Sequence, residues 1–262
     1  MKKKGMVAYL LRLPSAVLGA IGFLTRIPVV RGEESWRAFT RTPAAFPLAG
    51  YLTGTVIAAP FFLPLEPPLV AAIFLAWIYV FTGIPHIDAV ADFGDAMAVQ
   101  GNPDERRTAM TDTYVGVGAV LSVGLVLVGL WSIGFRIAGL PSVFPTGITS
   151  VVLTAEVAAK TSVAAVACFG RSAHQGLGSS FSESLNPSSL VPTLILGFPA
   201  AVLTWPNPTS VAGVAGAFAT ALLVIHWSES RLGGVSGDVM GAANELSRLT
   251  ALYLGVIVWT RF

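Results

Sequence analysis

Seven stretches of this chain stay apolar for close to the length that crosses a bilayer, and no other feature narrows its fold as far. A hydrocarbon core takes about 20 helical residues. Runs near that length lie at about 47–65, 68–84, 115–138, 147–169, 189–204, 210–227 and 249–261. They predict an all-α, polytopic membrane bundle of about seven spans, built as one membrane-embedded domain over 1–262. The fifth run is short and flanked by prolines, so a re-entrant or interfacial piece fits it equally well. Ahead of the bundle, over 1–45, the stretch from Met6 to Val30 is broken by Pro14 and Pro28 and carries Arg12 and Arg26. That pattern predicts an amphipathic helix lying in the membrane interface. A signal peptide would need a small-residue cleavage site and an uninterrupted apolar stretch, and Arg26 interrupts this one.

Composition agrees. Charged residues make up 11% of the chain and hydrophobic ones 54%, whereas soluble domains carry roughly 25% charge. The single cysteine, Cys168, rules out an intrachain disulfide or a cysteine-rich metal centre and reads as apolar filler near a helix end. A net charge of +2 spread over scattered basic residues argues against nucleic acid as a partner.

The basic residues are better explained by membrane orientation. With the N-terminus inside, Lys2, Lys3, Lys4, Arg12, Arg26, Arg31, Arg37, Arg41, Arg106, Arg107, Arg171, Arg231 and Arg248 fall on the cytoplasmic side. Arg136 and Arg261 fall opposite, and Lys160 lies within a span. The same assignment puts three polar segments, 85–114, 170–188 and 228–248, on one face, the expected cytoplasmic face of a multi-pass cell-membrane protein.

The first segment holds Asp88, Asp92 and Asp95 at i, i+4 and i+7, within roughly 60° of one another on a helix. Like charges so placed repel and destabilise a helix. A cation against them relieves this, and hard carboxylate ligands favour Mg²⁺ or Mn²⁺ over zinc. The alternative is a solvated acidic helix end. His86 points to the other face. Asp112 precedes the third span; the return of an antiparallel helix makes it a fourth ligand or a base, and as a lone residue it also suits an N-cap.

Arg171 with Gly176 and Gly178 suits an anionic ligand, because a guanidinium binds phosphate bidentately and glycine leaves backbone N–H groups bare. Its plainer reading is a positive-inside anchor and a helix stop. His174 is a proton carrier or an ordinary loop residue. Glu156 and Lys160, at i, i+4 inside a span, form either a functional pair or a structural one. In the third segment Gly233, Gly234, Gly237, Asp238 and Gly241 approach a helix start, where phosphate can be cradled. The lysine of a nucleotide-binding P-loop is absent, and Gly237 with Gly241 also suits close helix packing.

Taken together, His86-x-Asp88-x-x-Ala91-Asp92-x-x-Asp95, Asp112 with Gly116, Arg171 with Gly176-Leu177-Gly178, and Gly233-Gly234-x-x-Gly237-Asp238-x-x-Gly241-Ala242 resemble the adenosylcobinamide-GDP ribazoletransferase (cobalamin synthase) family. Thr25-Arg26-Ile27-Pro28 and Phe46-Pro47-x-x-Gly50 are similar too. Two positions depart from the family pattern: Ala89 stands where glycine is usual, and Thr111-Asp112-Thr113-Tyr114 replaces a Lys-Asp-x-Arg pattern.

The resemblance implies a Mg²⁺-dependent phosphotransferase of cobalamin (vitamin B12) biosynthesis. Adenosylcobinamide-GDP and α-ribazole, or its 5′-phosphate, give adenosylcobalamin, or its 5′-phosphate, and GMP. It implies that Asp88, Asp92, Asp95 and Asp112 are the catalytic and metal-binding residues. Substrate contacts fall to His86, Arg26, Arg171, Gly176, Gly178, Gly234, Gly237 and Asp238. The lipid bilayer is the expected environment, with self-association or association with other enzymes of the pathway left open. Two rivals remain on the residues alone. A CDP-alcohol phosphotransferase also uses an aspartate-rich helix with Mg²⁺, but its Asp-Gly-x-x-Ala-Arg core is absent, Asp92 standing in the arginine's place. A secondary transporter would bind near the bilayer midplane between inverted repeats, whereas these acids gather at one face.

Overall fold

The computed structural model describes residues 3–29, 32–140, 145–173 and 175–261. Those residues form helices joined by short turns, with no strand among them and a single isolated bridge between Ser172 and Val235. Helices α1 (Lys3–Leu24), α2 (Glu33–Thr40), α3 (Ala45–Ile57) and α4 (Pro67–Thr82) make the N-terminal half of the bundle. Helices α5 (Pro85–Ala98) and α6 (Pro103–Met110) follow, and then α7 (Val117–Ala138) and α8 (Pro145–Phe169) return through it. Helices α9 (Leu177–Ser182), α10 (Leu190–Ala201), α11 (Thr209–Arg231) and α12 (Gly237–Trp259) complete the chain.

Helix α8 is the axis, and α3, α10, α11 and α12 all pack on it. In lipid the hydrophobic effect does not drive helices together, so close van der Waals contact between small residues must do so. The α8 sequence is rich in alanine, serine and threonine for this purpose. On α3, Gly50 and Gly54 stand so close that a Cβ at either would come within 2.8 Å of the Val157 or Leu153 Cα of α8. The outward faces are large and apolar, as with Leu121, Leu125 and Val128 of α7 and Leu222 and Leu223 of α11. They form the lipid-facing surface of a helical membrane protein.

Four described helical stretches are long and apolar enough to cross a bilayer: Ala45–Phe62, α7, Gly147–Phe169 and α11. The α4–α5 pair makes a fifth if taken as one broken span, bent by 98°. The expected seven therefore meet that standard at four or five positions. Helix α10 has 12 residues, about 18 Å at 1.5 Å per residue. Helix α12 is long enough but carries Asp238, Glu245 and Arg248, and it begins well before the expected 249 because Ser236 caps it, its Oγ accepting the Val239 N–H at 3.3 Å. At the other end of the chain α1 continues through Pro14 to Leu24 and packs on α2 and α3.

The elbow that builds the site lies between α4 and α5. Gly83, at φ +78°, takes a left-handed conformation open to glycine. Pro85 then opens α5, where its missing N–H and fixed φ suit a first helical turn. Arg26 is tethered here by its backbone N–H donating to the Phe81 carbonyl at 2.8 Å.

Candidate active site at one end of the bundle

Turned through the elbow, α5 lies across the end of the bundle, against α7 on one side and α12 on the other. Its apolar residues Ala89, Val90, Phe93 and Ala96 are buried, which leaves the aspartate stripe on the opposite side: Asp88 is exposed, while Asp92 and Asp95 are half-buried. The contact with α12 is close, since a Cβ on Gly241 would sit 2.5 Å from the Ala89 Cβ. The contact with α7 is closer still, with Gly94 and Gly118 facing each other.

Asp95 accepts backbone N–H groups from Gly116 and Ala119, each at 2.8 Å. These are donors that the first turn of α7 leaves without intrahelical partners, and α7 has no capping side chain of its own. Asp95 therefore caps α7 from another helix and fixes the angle between α5 and α7. Asp112 lies on the exposed turn before α7 and accepts the Tyr114 N–H at 3.2 Å.

Asp92 is the electrostatic centre. Burial, then the charges of Asp238, Asp88 and Asp95, raise its carboxyl to about 6. Asp238, from the first turn of α12, is the strongest of the three charges, so the site joins two helices far apart in sequence. These acids gather without chelating geometry already in place: among the described residues no three metal-ligating side chains are grouped closely enough to hold an ion. Like charges gathered this closely repel, and an all-oxygen donor set of this kind fits Mg²⁺.

His86 faces away from the stripe, as its position predicts, and ends a buried polar network. Glu156 and Lys160 of α8 pair at 3.3 Å, and Glu156 also meets Arg248 of α12, which bonds Glu245 as well. All four side chains are at most 1% exposed. Thr53 donates to Glu156 at 3.1 Å and Tyr79 to Glu245 at 3.3 Å. Asn244 connects this network to the site. Its Oδ1 accepts from the Lys160 ammonium at 2.7 Å, which fixes the amide's orientation. Its Nδ2 donates to Glu245 at 3.0 Å and contacts His86 Nδ1 at 3.1 Å. A donor at Nδ2 makes Nδ1 an acceptor, so the ring proton sits on Nε2. Glu245 lies farther from Nδ1, at 3.8 Å. Burial and then the Lys160 charge hold the imidazole well below its usual range.

Three cavities lie around these groups, one of them adjoining each of the other two. An inner chamber of about 250 Å³ is walled by Phe23, Phe46, Phe181 and Met240 and reaches His86, Gly237 and Asp238. An open groove of about 930 Å³ adjoins it between α1, α2 and the elbow, with Arg26 and Trp36 in its lining and Phe23, Thr82 and Pro85 common to both. A shallower cavity of about 300 Å³ lies on the other side of Asp238, beside Asp104 and Arg107. Asp238 thus lines two cavities and acts on Asp92.

The glycine loops divide by role. Gly234 and Gly178 serve packing: a Cβ at Gly234 would meet the Arg171 carbonyl at 2.5 Å, and one at Gly178 would meet the Ser236 backbone at 2.7 Å. The Val235 N–H donates to the Arg171 carbonyl at 2.6 Å, so the second and third polar segments are stitched together. Gly176 is exposed and Gly237 opens α12 into the chamber. The Arg171 side chain is 88% exposed, 3.9 Å from Glu229. His174 lies outside the described residues.

Two site residues were not singled out by the sequence. Asn244 had no signal beyond its place near a glycine motif. Arg107 counts in the sequence only as an orientation charge, yet it pairs with Asp104 and donates to the Leu232 carbonyl beside Gly233. Arg248 is a correction: expected as a cytoplasmic anchor, it is 1% exposed inside the bundle because Glu156 and Glu245 neutralise it there.

The sequence profile of the cobalamin-5-phosphate synthase family matches residues 16–257. The adenosylcobinamide-GDP ribazoletransferase of Halorubrum lacusprofundi is 44% identical over 254 residues, covering 95% of this chain and 99% of the relative. The protein of that name in Halobacterium salinarum is 44% identical over 73% of this chain and 94% of its own length. That of Methanocella arvoryzae is 32% identical over 95% and 98%. No solved structure matches the chain.

Proposed function

This chain belongs to the cobalamin-5-phosphate synthase family, and from that premise we propose that its acidic cluster joins adenosylcobinamide-GDP to α-ribazole, or to α-ribazole 5′-phosphate, in a Mg²⁺-dependent reaction. The observation that carries the assignment of the site is the convergence of Asp88, Asp95 and Asp238 on Asp92, with Asp238 lining both the inner chamber and the shallower cavity.

The chemistry asks little of the protein beyond positioning and charge neutralisation. A ribose hydroxyl oxygen bonds to the cobinamide-linked phosphorus, the bond from that phosphorus to the GMP oxygen breaks, and the hydroxyl proton leaves to a carboxylate. Mg²⁺, when bound, neutralises pyrophosphate oxygens and stabilises the leaving phosphate. Asp88, Asp92 and Asp238 would hold it. Asp95 orients the stripe through its cap on α7, and Asp112 is the remaining carboxylate of the set, a further ligand or the proton acceptor. Arg107 and Arg171 supply positive charge for phosphate, and Arg26 does so at the groove mouth.

We place this face of the bundle in the cytoplasm, at the cell membrane. With Arg248 withdrawn into the bundle, twelve lysines and arginines remain on the site's side against Arg136 and Arg261, an asymmetry of the kind that sets orientation.

Labelling tests the reaction directly. Adenosylcobinamide-GDP carrying ³²P at the cobinamide-linked phosphoryl group is expected to deliver its label to the cobalamin product and none to GMP. Label in GMP would place the attack on the other phosphorus, and no labelled cobalamin from folded protein would refute the activity.

A further inference from the structure

We infer that the inner chamber is the seat of the lower-base nucleoside, base inward and ribose toward Asp238, while the corrinoid stays outside in the groove. The inference rests on the reaction proposed above and assigns its two substrates to different cavities.

Size separates them first. The chamber holds about 250 Å³, just below the roughly 300–1,000 Å³ typical of small-molecule sites. A benzimidazole riboside, of about 20 non-hydrogen atoms, is matched to such a space. A corrin ring with its amide side chains and axial adenosyl group is several times larger. Only the groove, at about 930 Å³ and open to the outside, has room for part of it.

Chemistry separates them next. The chamber walls are apolar: Phe46 and Phe181 close the chamber as part of a locked aromatic cluster, with ring centroids 5.6 Å apart and Phe39 bracing both at 4.8 and 5.0 Å, while Phe23 and Pro85 carry its exposed apolar surface. Met240 adds a polarisable thioether that packs well on aromatic rings. A heteroaromatic base suits these walls, and the amide-fringed rim of a corrinoid does not.

Polarity then sets the direction. The polar side chains lining the chamber are Thr82, at its boundary with the groove, His86 and Asp238. The Asn244 contact makes His86 Nδ1 an acceptor and leaves Nε2–H as the ring's donor. A base seated deep in the chamber leaves its ribose hydroxyls beside Asp238, which is the strongest of the charges acting on Asp92. The attacking hydroxyl is thereby held next to the carboxylates proposed to bind the pyrophosphate. The groove shares Phe23, Thr82 and Pro85 with the chamber, so a corrinoid resting there can reach the same point from outside.

Two variants test the assignment from opposite sides. Val163 of α8 lines the chamber beside Met240, so Val163→Phe fills it, whereas Met240→Ala enlarges it. In apolar pockets a change of about one methylene group shifts discrimination about 10–200-fold. Val163→Phe should therefore raise the KM for α-ribazole at least about tenfold while leaving that for adenosylcobinamide-GDP within a factor of about two. Met240→Ala should improve the use of bulkier lower bases relative to α-ribazole. Equilibrium binding of radiolabelled α-ribazole alone, to monodisperse protein in detergent, gives a readout that does not depend on turnover. Wild type that binds α-ribazole, with binding lost in Val163→Phe, upholds the chamber assignment even if no GMP is released; that second result would instead refute the proposed reaction. No α-ribazole binding by folded wild type, equal binding by wild type and Val163→Phe, or a KM effect confined to adenosylcobinamide-GDP overturns it.

Discussion

At Asp92 partial burial and then three neighbouring carboxylates raise the side chain to about 6, so the metal-free site resists becoming fully ionised. The folded protein binds this proton more tightly than the unfolded chain, so ionisation of Asp92 costs stability progressively as pH rises through about 6. A divalent cation reverses that cost, and it binds best once the proton is gone. The rise in Tm produced by Mg²⁺ should accordingly be larger at pH 7.5 than at pH 5.5, and it should disappear in Asp92→Asn; an equal rise in that variant would remove Asp92 from the metal site. Turnover of Asp92→Asn should fall by at least about 100-fold, the scale on which loss of an electrostatic stabiliser acts. Asn244 bears on a different property, the tautomer of His86. Asn244→Asp sets an acceptor against Nδ1 and should move the ring proton from Nε2 to Nδ1, as read by ¹⁵N-resolved histidine spectra. An unchanged Nε2–H signal would show that another group holds the ring. The aspartate stripe was legible from spacing alone, because i, i+4, i+7 is a property of one helix. Asn244 was not, since its meaning comes from Lys160 and His86, which lie 84 and 158 residues away.

Helix α5 owes its place to the bend at Gly83 and to two close contacts, with Gly94 against α7 and Ala89 against Gly241 of α12. A Cβ at Gly94 would meet the Ser122 Oγ at 2.1 Å and the Gly118 carbonyl at 2.7 Å. Gly94→Val should therefore push α5 away from α7 and cost about 1–3 kcal/mol, the usual range for overpacking, with turnover lost more steeply than thermal stability because the aspartates ride on α5. Turnover and Tm intact in this variant would contradict the packing described. Asp95→Ala removes the cap on α7 and should cost about 1 kcal/mol. Hydropathy located α4, α7, α8 and α11 to within a few residues and overran the end of α3, because helices facing lipid and the buried axis α8 alike write long apolar runs. It missed the first half of α12, whose Glu245 and Arg248 look like loop residues until their partners are known. It could not foresee that α5 lies across the bundle end, since a 98° bend at a glycine and a proline leaves the local helix pattern unchanged.

Across the whole molecule, α8 and α12 are fastened by four buried charges, two of each sign, placed just beneath the site. Removing one partner from such a network strands the others and typically costs about 3–5 kcal/mol, whereas removing both members of a pair costs less. Arg248→Met should sharply shorten the thermal half-life, and Glu156→Gln added to it should recover part of the loss; additive losses would mean that the two side chains do not act as a pair. The architecture separates a lipid-embedded scaffold from a polar end where Asp238 of α12 lines two cavities beside the acids of α5. On this account the acidic end is a metal-dependent ribazole transfer site. The most direct test is GMP release by purified protein in liposomes supplied with adenosylcobinamide-GDP and α-ribazole, with Mg²⁺ and then with EDTA. The account predicts equal amounts of GMP and cobalamin with Mg²⁺, and neither with EDTA until Mg²⁺ is restored. Undiminished turnover in EDTA would contradict the metal site, and no turnover by folded protein under either condition would contradict the reaction itself.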